Sequence, residues 1–358
     1  GVQILWILGG ESLEERHHEL VFGDAGDRLR IEVLRFGAVA DFPDLGGAGF
    51  ARGGGLARSE GAGLGFAAAG GGLWKTTDGG TSWQPMTDGK TDTAAFGGVA
   101  VCEANPDIVY GGNYGGYLSR LDHKTGENRA ISVWPDNPIG AGADVLKFRF
   151  QWNFPIFFSP HNPKRLYCAG NALFMTENEG ASWTQISPDL TTNDKAKQVS
   201  SGGPITQDNT SVEYYCTIFT ATESSLEKAL LWTGSDDGLI HISKDGGNSW
   251  TNVTPKEAGQ WMMWNCVETD VFVKGKAYFV GTKYKMDDFT PYIYKTNDYG
   301  KSWQLITNNI PENHFARCIR ADKKRKGLLY AGTEYGMYIS YDNGNNWKPF
   351  QLNLPIVP

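Results

Sequence analysis

Four carboxyl groups stand where acid–base chemistry could be carried out: Glu213, Asp236, Asp237 and Glu334. Glycoside hydrolysis suits such groups, because it uses two carboxyls, about 5 Å apart for retention of configuration or about 6.5–9.5 Å apart for inversion. Seven further residues could hold a substrate: Trp134, Trp152, Tyr214, Trp261, Trp264, Arg317 and Tyr335. The six aromatic rings among them can stack on the apolar faces of sugars while carboxylates bond the hydroxyls. Glu213 is the first candidate, since it opens a run, Val212 to Cys216, that reads as an inner strand aimed at a channel mouth. Asp236, Asp237 or Glu334 would be its partner. Each acid also has a plainer reading as a solvated or turn-forming residue, and Asp236-Asp237-Gly238 is a good turn sequence.

Other chemistries have less support. There is no GxSxG, no phosphate-binding GxxxxGK[ST] and no HExxH. Five cysteines, Cys102, Cys168, Cys216, Cys266 and Cys318, are widely spaced with no CxxC, and read as buried small hydrophobes rather than zinc ligands. His17-His18 has no second cluster to complete a metal site, and no EF-hand loop supports calcium. No metal and no cofactor is expected.

The elements that must position these residues are short strands. The chain has 358 residues with 46 Gly, 12 Trp, 15 Tyr and 18 Phe, a composition of strands and tight turns. No apolar run approaches the roughly 18 residues of a membrane helix. A net charge of -7 argues against a nucleic-acid partner, which needs a basic footprint. Residues 1–74 contain no Lys, Thr, Asn or Tyr, whereas the remainder holds all 15 Tyr. This break separates an unassigned segment, 1–64, from a second region, 65–358. The apolar start, Gly1 to Leu8, lacks a basic leader region and reads as a strand rather than a signal peptide.

The second region is repetitive. Five segments share the pattern S/T-x-D/N-x-G-x-x-W, with Asp78 and Trp83, Asn178 and Trp183, Asp245 and Trp250, Asp298 and Trp303, and Asp342 and Trp347. The Trp-to-Trp spacings are 100, 67, 53 and 44. An alternating apolar strand precedes each segment and a polar one follows, so the segment is a hairpin turn. The acid can accept from turn amides, Gly allows positive φ, and Trp is expected to fold back as an apolar plug against its own sheet. Recurrence in every unit marks these residues as structural. A second repeat, such as Leu230-Leu231-Trp232-Thr233-Gly234 or Leu328-Leu329-Tyr330-Ala331-Gly332, lies upstream. Each unit thus has four strands in roughly 45 residues, the size of a propeller blade. The expected fold is all-β, a β-propeller with six readable blades and a seventh from residues 1–64 or from outside the chain. The turn between the second and third strands and the crossovers between blades then share one end, which collects the acids and aromatics named above.

The repeated turns resemble Asp-box (BNR) repeats, found in sialidases, xyloglucan-active hydrolases, sortilin ectodomains and photosystem II assembly propellers. The region from about 65 to 358 is most similar to bacterial sortilin-like or glycosyl hydrolase BNR-repeat proteins. Stretches that carry the likeness include Gly71 to Gly80, Phe158 to Pro163, Ile186 to Thr191, Ser201 to Thr206 and Gly234 to Leu239. The resemblance implies a secreted or periplasmic, carbohydrate-active propeller, a glycoside hydrolase acting on a polysaccharide or oligosaccharide. It equally accommodates a non-catalytic binding or assembly propeller with a peptide or protein partner, because the Asp box identifies architecture and not chemistry. A sialidase would need an arginine cluster, and only Arg149 and Arg317 are well placed.

Overall fold

A computed structural model describes residues 105, 107–203, 205–211 and 214–350, together with the strand backbone of eight stretches before residue 102. Two compact units are present, one of Gly1–Asn113 with Ser119–Arg129 and Val357–Pro358, the other of Tyr114–Leu118 with Ala130–Ile356.

The N-terminal strands are β1 (Val2–Gln3), β2 (His18–Val21) and β3 (Arg28–Glu32), then β4 (Gly55–Ser59), β5 (Gly63–Ala68), β6 (Gly72–Thr76) and β7 (Gln84–Pro85). Next come β8 (Gly98–Val101), β9 (Ile108–Asn113), β10 (Tyr117–Asp122) and β11 (Asn128–Ala130). They form a three-stranded sheet in the order β1-β3-β2 and two four-stranded sheets, β4 to β7 and β8 to β11. The turn that contains Asp78 and Trp83, and also Cys102, lie outside the described residues.

Four sheets follow in the second unit. The first holds β12 (Ile156–Ser159), β13 (Asn162–Ala169), β14 (Leu173–Thr176) and β15 (Thr184–Gln185). The second holds β16 (Ile218–Glu223), β17 (Leu231–Ser235), β18 (Ile240–Ser243) and β19 (Thr251–Asn252). The third holds β20 (Met263–Thr269), β21 (Ala277–Lys283), β22 (Asp288–Thr296) and β23 (Gln304–Leu305). The fourth holds β24 (Ala316–Ala321), β25 (Leu329–Thr333), β26 (Gly336–Ser340) and β27 (Lys348–Pro349). Each is an antiparallel meander in chain order. Helix among the described residues is confined to single 3-10 turns such as Lys195–Lys197 and Lys256–Ala258.

The second strands β17, β21 and β25 are buried on both faces, as is the Leu166–Ala169 half of β13, which explains their continuous apolar reading. Side chains alternate along each with period two. In β21, Ala277 and Phe279 join Trp232, Ile240 and Ile242 of the second sheet. Tyr278 and Val280 face the other way, toward Ile319, Leu329 and Tyr338 of the fourth sheet. The core is thus a series of layers between successive sheets, with the two-residue fourth strands exposed on the outside.

The repeated turn closes each sheet. In the second sheet, Ser243 Oγ donates to Asp245 Oδ1 at 2.8 Å and accepts from Gly247 N at 2.8 Å. Asp245 also accepts from Ser249 N and Oγ at 2.9 and 2.6 Å, and these bonds hold its carboxyl below the usual range. The turns at Asn178, Asp298 and Asp342 repeat the pattern. The tryptophans do more than plug their own sheets. Trp250 Nε1 donates to Ile186 O at 2.9 Å, Trp303 to Val253 O at 2.6 Å and Trp347 to Ile306 O at 2.6 Å. Each acceptor is the residue just after the fourth strand of the preceding sheet, so the indole ties one sheet to the next. Within the second unit Trp183 Nε1 also donates to Ile131 O at 2.8 Å.

Candidate ligand site at the ends of the strands

Ser235-Asp236-Asp237-Gly238 joins β17 to β18, and the bonds around it explain the local fold. Asp236 Oδ1 accepts from Thr217 N at 2.8 Å and Oδ2 from Thr217 Oγ1 at 2.7 Å. Asp237 Oδ2 accepts from Thr192 N and Oγ1 at 2.8 and 2.7 Å, and Oδ1 from Ser235 Oγ at 2.6 Å. The turn therefore gathers the loop after the first sheet and the segment entering the second. Both acids are buried, 3% and 7% exposed. Burial pushes the Asp236 carboxyl up to about 7, the neighbouring Asp237 charge adds to this, and bonds from Thr217 and Gln151 oppose it.

Burial pushes the Tyr215 phenol up, and the charges of Asp236 and Asp237 add to this. The Tyr215 ring stacks on Trp261 with centroids 5.6 Å apart and planes at 30°. Trp261 is 39% exposed, and Lys197 Nζ sits 4.2 Å from its ring centroid. Cys216 and Trp261 both have positive φ, at 61° and 64°, an uncommon backbone state for such residues.

Arg149 braces this corner from below. It is 2% exposed; Nε donates to Cys216 O at 3.1 Å and Nη2 to Asp189 Oδ2 at 2.7 Å, which also accepts from Asn171 Nδ2 at 2.8 Å. Arg149 is thereby an internal brace rather than a free anion receptor.

A second group gathers at the corresponding turn of the fourth sheet. Arg317 Nε donates to Glu334 Oε2 at 2.8 Å, and the guanidinium lies 4.4 and 4.7 Å from the rings of Tyr284 and Phe315. Tyr335, 42% exposed, stacks on His314 at 4.8 Å. Burial lowers the His314 pKa, and its Nδ1 is 2.7 Å from Tyr338 Oη.

The remaining sequence candidates separate. Trp134 is 39% exposed beneath Lys147, whose Nζ is 3.7 Å from the ring. Trp152 packs against Tyr114 at 5.9 Å. Trp264 is fully buried against Phe279 and Tyr294, so its ring faces core and not ligand. Tyr214 is buried too, with its hydroxyl donating to Pro138 O and Ala141 O at 3.0 and 3.1 Å; burial raises its phenol to about 12. Glu213 lies outside the described residues. The inner strand expected to begin at residue 212 begins instead at Ile218, because Cys216 takes a left-handed backbone that a strand excludes. Sequence reading missed Tyr215, Thr192, Thr217, Gln151 and Lys197. None of these five carries a motif. Among the described residues no group of three or more His, Cys, Asp or Glu could hold a metal ion. No described helix is long and apolar enough to cross a membrane.

No protein-family model matches the chain, and no curated protein does. Solved structures do. The GH74 xyloglucanase of Xanthomonas campestris superposes with a TM-score of 0.60 at 16% identity, over 87% of this chain and 46% of that one. YCF48 from Cyanidioschyzon merolae gives 0.55 at 14% identity, over 84% and 85%. A structure of YCF48 bound to D1 peptide gives 0.54 at 12% identity, over 84% and 82%. These are β-propeller proteins, and the chain shares their all-β fold of four-stranded antiparallel sheets. It spans about half the length of the xyloglucanase it resembles.

Proposed function

We propose that the chain is a carbohydrate-active β-propeller, with six blades readable in the sequence and the repeated turns as Asp boxes. The observation that carries this reading is the exposed Trp261 ring stacked on Tyr215, two positions before Thr217, which bonds the buried Asp236. An exposed indole is a platform for a sugar ring, and an aspartate that holds its proton to about pH 7 can act as a general acid. Asp236 is accordingly the proposed proton donor in glycoside hydrolysis. Glu213, two positions before Tyr215, is the proposed partner carboxyl. Glu334, Arg317 and Tyr335 form a second contact group for a polymeric substrate. The likeness to a xyloglucanase makes a plant-type β-glucan the first substrate to try, with a secreted or periplasmic setting.

The second reading is a non-catalytic recognition propeller, as YCF48 bound to D1 peptide illustrates. It is favoured by the internal donors on both aspartates: Thr217 bonds Asp236, while Thr192 and Ser235 bond Asp237. A polysaccharide panel, with the wild-type chain, Asp236→Asn, Glu213→Gln and Trp261→Ala, separates the two. Hydrolysis that falls about 100-fold or more in Asp236→Asn, with the fold retained, supports the enzyme. Binding without hydrolysis, lost in Trp261→Ala, supports recognition. No glycan binding at all overturns the carbohydrate reading.

A further inference from the structure

The strand ends of the third and fourth sheets carry an ion pair beside two exposed rings. Tyr335 is 42% exposed and Phe289 41%. The buried Phe315 ring joins them, with its centroid 6.5 Å from that of Tyr335 and 5.8 Å from that of Phe289. It also backs Arg317, whose guanidinium lies 4.7 Å from the Phe315 centroid and 4.4 Å from that of Tyr284. Arg317 Nε donates to Glu334 Oε2 at 2.8 Å, so three contacts fix the guanidinium. The remaining edges of the pair are open. Among the described residues Nη1 and Nη2 of Arg317 and Oε1 of Glu334 have no partner, and none of these atoms is closed off from solvent. Terminal nitrogens of Arg149, Arg165 and Arg320 instead bond Asp189, Glu177 and the Ile319 carbonyl.

The chemistry of a ligand follows from those open edges. A guanidinium only donates and a carboxylate only accepts, so a ligand that meets both must offer an acceptor and a donor side by side. Carboxylate and sulfate meet Arg317 alone and are repelled by Glu334. An ammonium meets Glu334 alone. Two neighbouring sugar hydroxyls meet both, because each hydroxyl donates and accepts. The pair has no net charge, which suits a neutral ligand, and the exposed rings can cover the apolar face of the same sugar. The group also adjoins the indole platform. Lys283 Nζ lies 3.5 Å from where a Cβ would stand at Gly259, two residues before Trp261, and the next residue, Tyr284, underlies Arg317.

Resting on the carbohydrate reading, we propose that the Arg317–Glu334 pair is a subsite that reads two neighbouring hydroxyls of a neutral sugar unit. The ligand is an uncharged oligosaccharide that occupies this subsite and the Trp261 ring at once.

Calorimetric titration of the full chain with cello-, xylo-, manno- and malto-oligosaccharides of two and six units, and with an acidic galacturonate hexamer, tests this. One neutral hexaose is expected to bind, and more tightly than its disaccharide. Arg317→Met and Glu334→Ala are each expected to weaken the hexaose about 10-fold or more, the range of a lost hydrogen bond to a charged group. The melting temperature should hold in both, because surface ion pairs add little to stability. Unchanged hexaose affinity in both variants, with binding lost in Trp261→Ala, overturns the subsite and leaves the carbohydrate reading standing. Tighter binding of the galacturonate hexamer than of any neutral hexaose overturns the hydroxyl assignment, since Arg317 then serves as a carboxylate receptor. Failure of every hexamer overturns both the subsite and the carbohydrate reading.

Discussion

Asp236 keeps a proton that a solvated aspartate loses, and this has a consequence for stability. Its folded pKa, about 7, lies above the ordinary 3.8. Between these values the folded chain binds more protons at this site than the unfolded chain does. Stability from this group is therefore fully present below about pH 4, falls as pH rises to about 7, and is flat beyond. Asp236→Asn removes the titration. Urea denaturation at pH 4.5 and pH 8 should show the variant gaining on wild type as pH rises; an equal difference at both values would refute the assignment. If Asp236 is the proton donor, the wild-type rate also declines above about pH 7. A different buried charge behaves as structure. Lys276 Nζ meets Asp270 Oδ2 at 2.8 Å with both side chains 3% exposed. Lys276→Met removes the aspartate's cation and should cost about 3–5 kcal/mol, and adding Asp270→Leu should not recover it, since Asp270 also accepts from Phe272 N, Val273 N and Tyr278 Oη; chemical denaturation of the two variants checks this.

At the scale of the element, the repeated turn is built from one hydroxyl, one acid or amide, one glycine and one indole, and each has a separate job. The glycine is required twice over. Gly300 has φ +79°, and a Cβ there would stand 2.7 Å from Val253 Cβ. Gly300→Ala should therefore cost about 2 kcal/mol or more, where an ordinary turn substitution costs little. Trp250→Phe keeps an aromatic ring but leaves Ile186 O without its 2.9 Å donor. A loss of roughly 1–2 kcal/mol in thermal unfolding is expected, and a neutral result would mean that the indole bond is not what joins the sheets.

Across the whole molecule, coupling between the four sheets of the second unit passes through neighbours. Apolar layers and indole bonds link the first sheet to the second, the second to the third and the third to the fourth. Trp250 and Trp347 share no partner, so Trp250→Phe and Trp347→Phe should add within about 0.5 kcal/mol. Trp303 stands just before β23 and Trp347 bonds Ile306 O just after it, so both act through the third sheet and their double variant should depart from additivity by more than that. A double-mutant cycle reads both.

What the sequence by itself determined is the repeat. Alternation set the strands, Asp245, Gly247 and Trp250 marked the turn, and recurrence of like segments at unequal spacings implied like sheets, because each signal is local and period two survives without knowledge of neighbours. The turn that carries Asp236 and Asp237 was legible for the same reason. What only the tertiary structure decided is which side chains face outward and which groups meet. Tyr214 and Tyr215 are indistinguishable in sequence, yet one is buried with its hydroxyl on Pro138 O and Ala141 O while the other stacks on Trp261. Trp261 and Trp264 are likewise three residues apart, yet one is 39% exposed and the other fully buried, since burial is fixed by the sheet that packs above them. Beside the local Ser235, the donors on the acid pair come from Thr192 and Thr217, 45 and 19 residues away from their partners, and no local pattern encodes such a meeting.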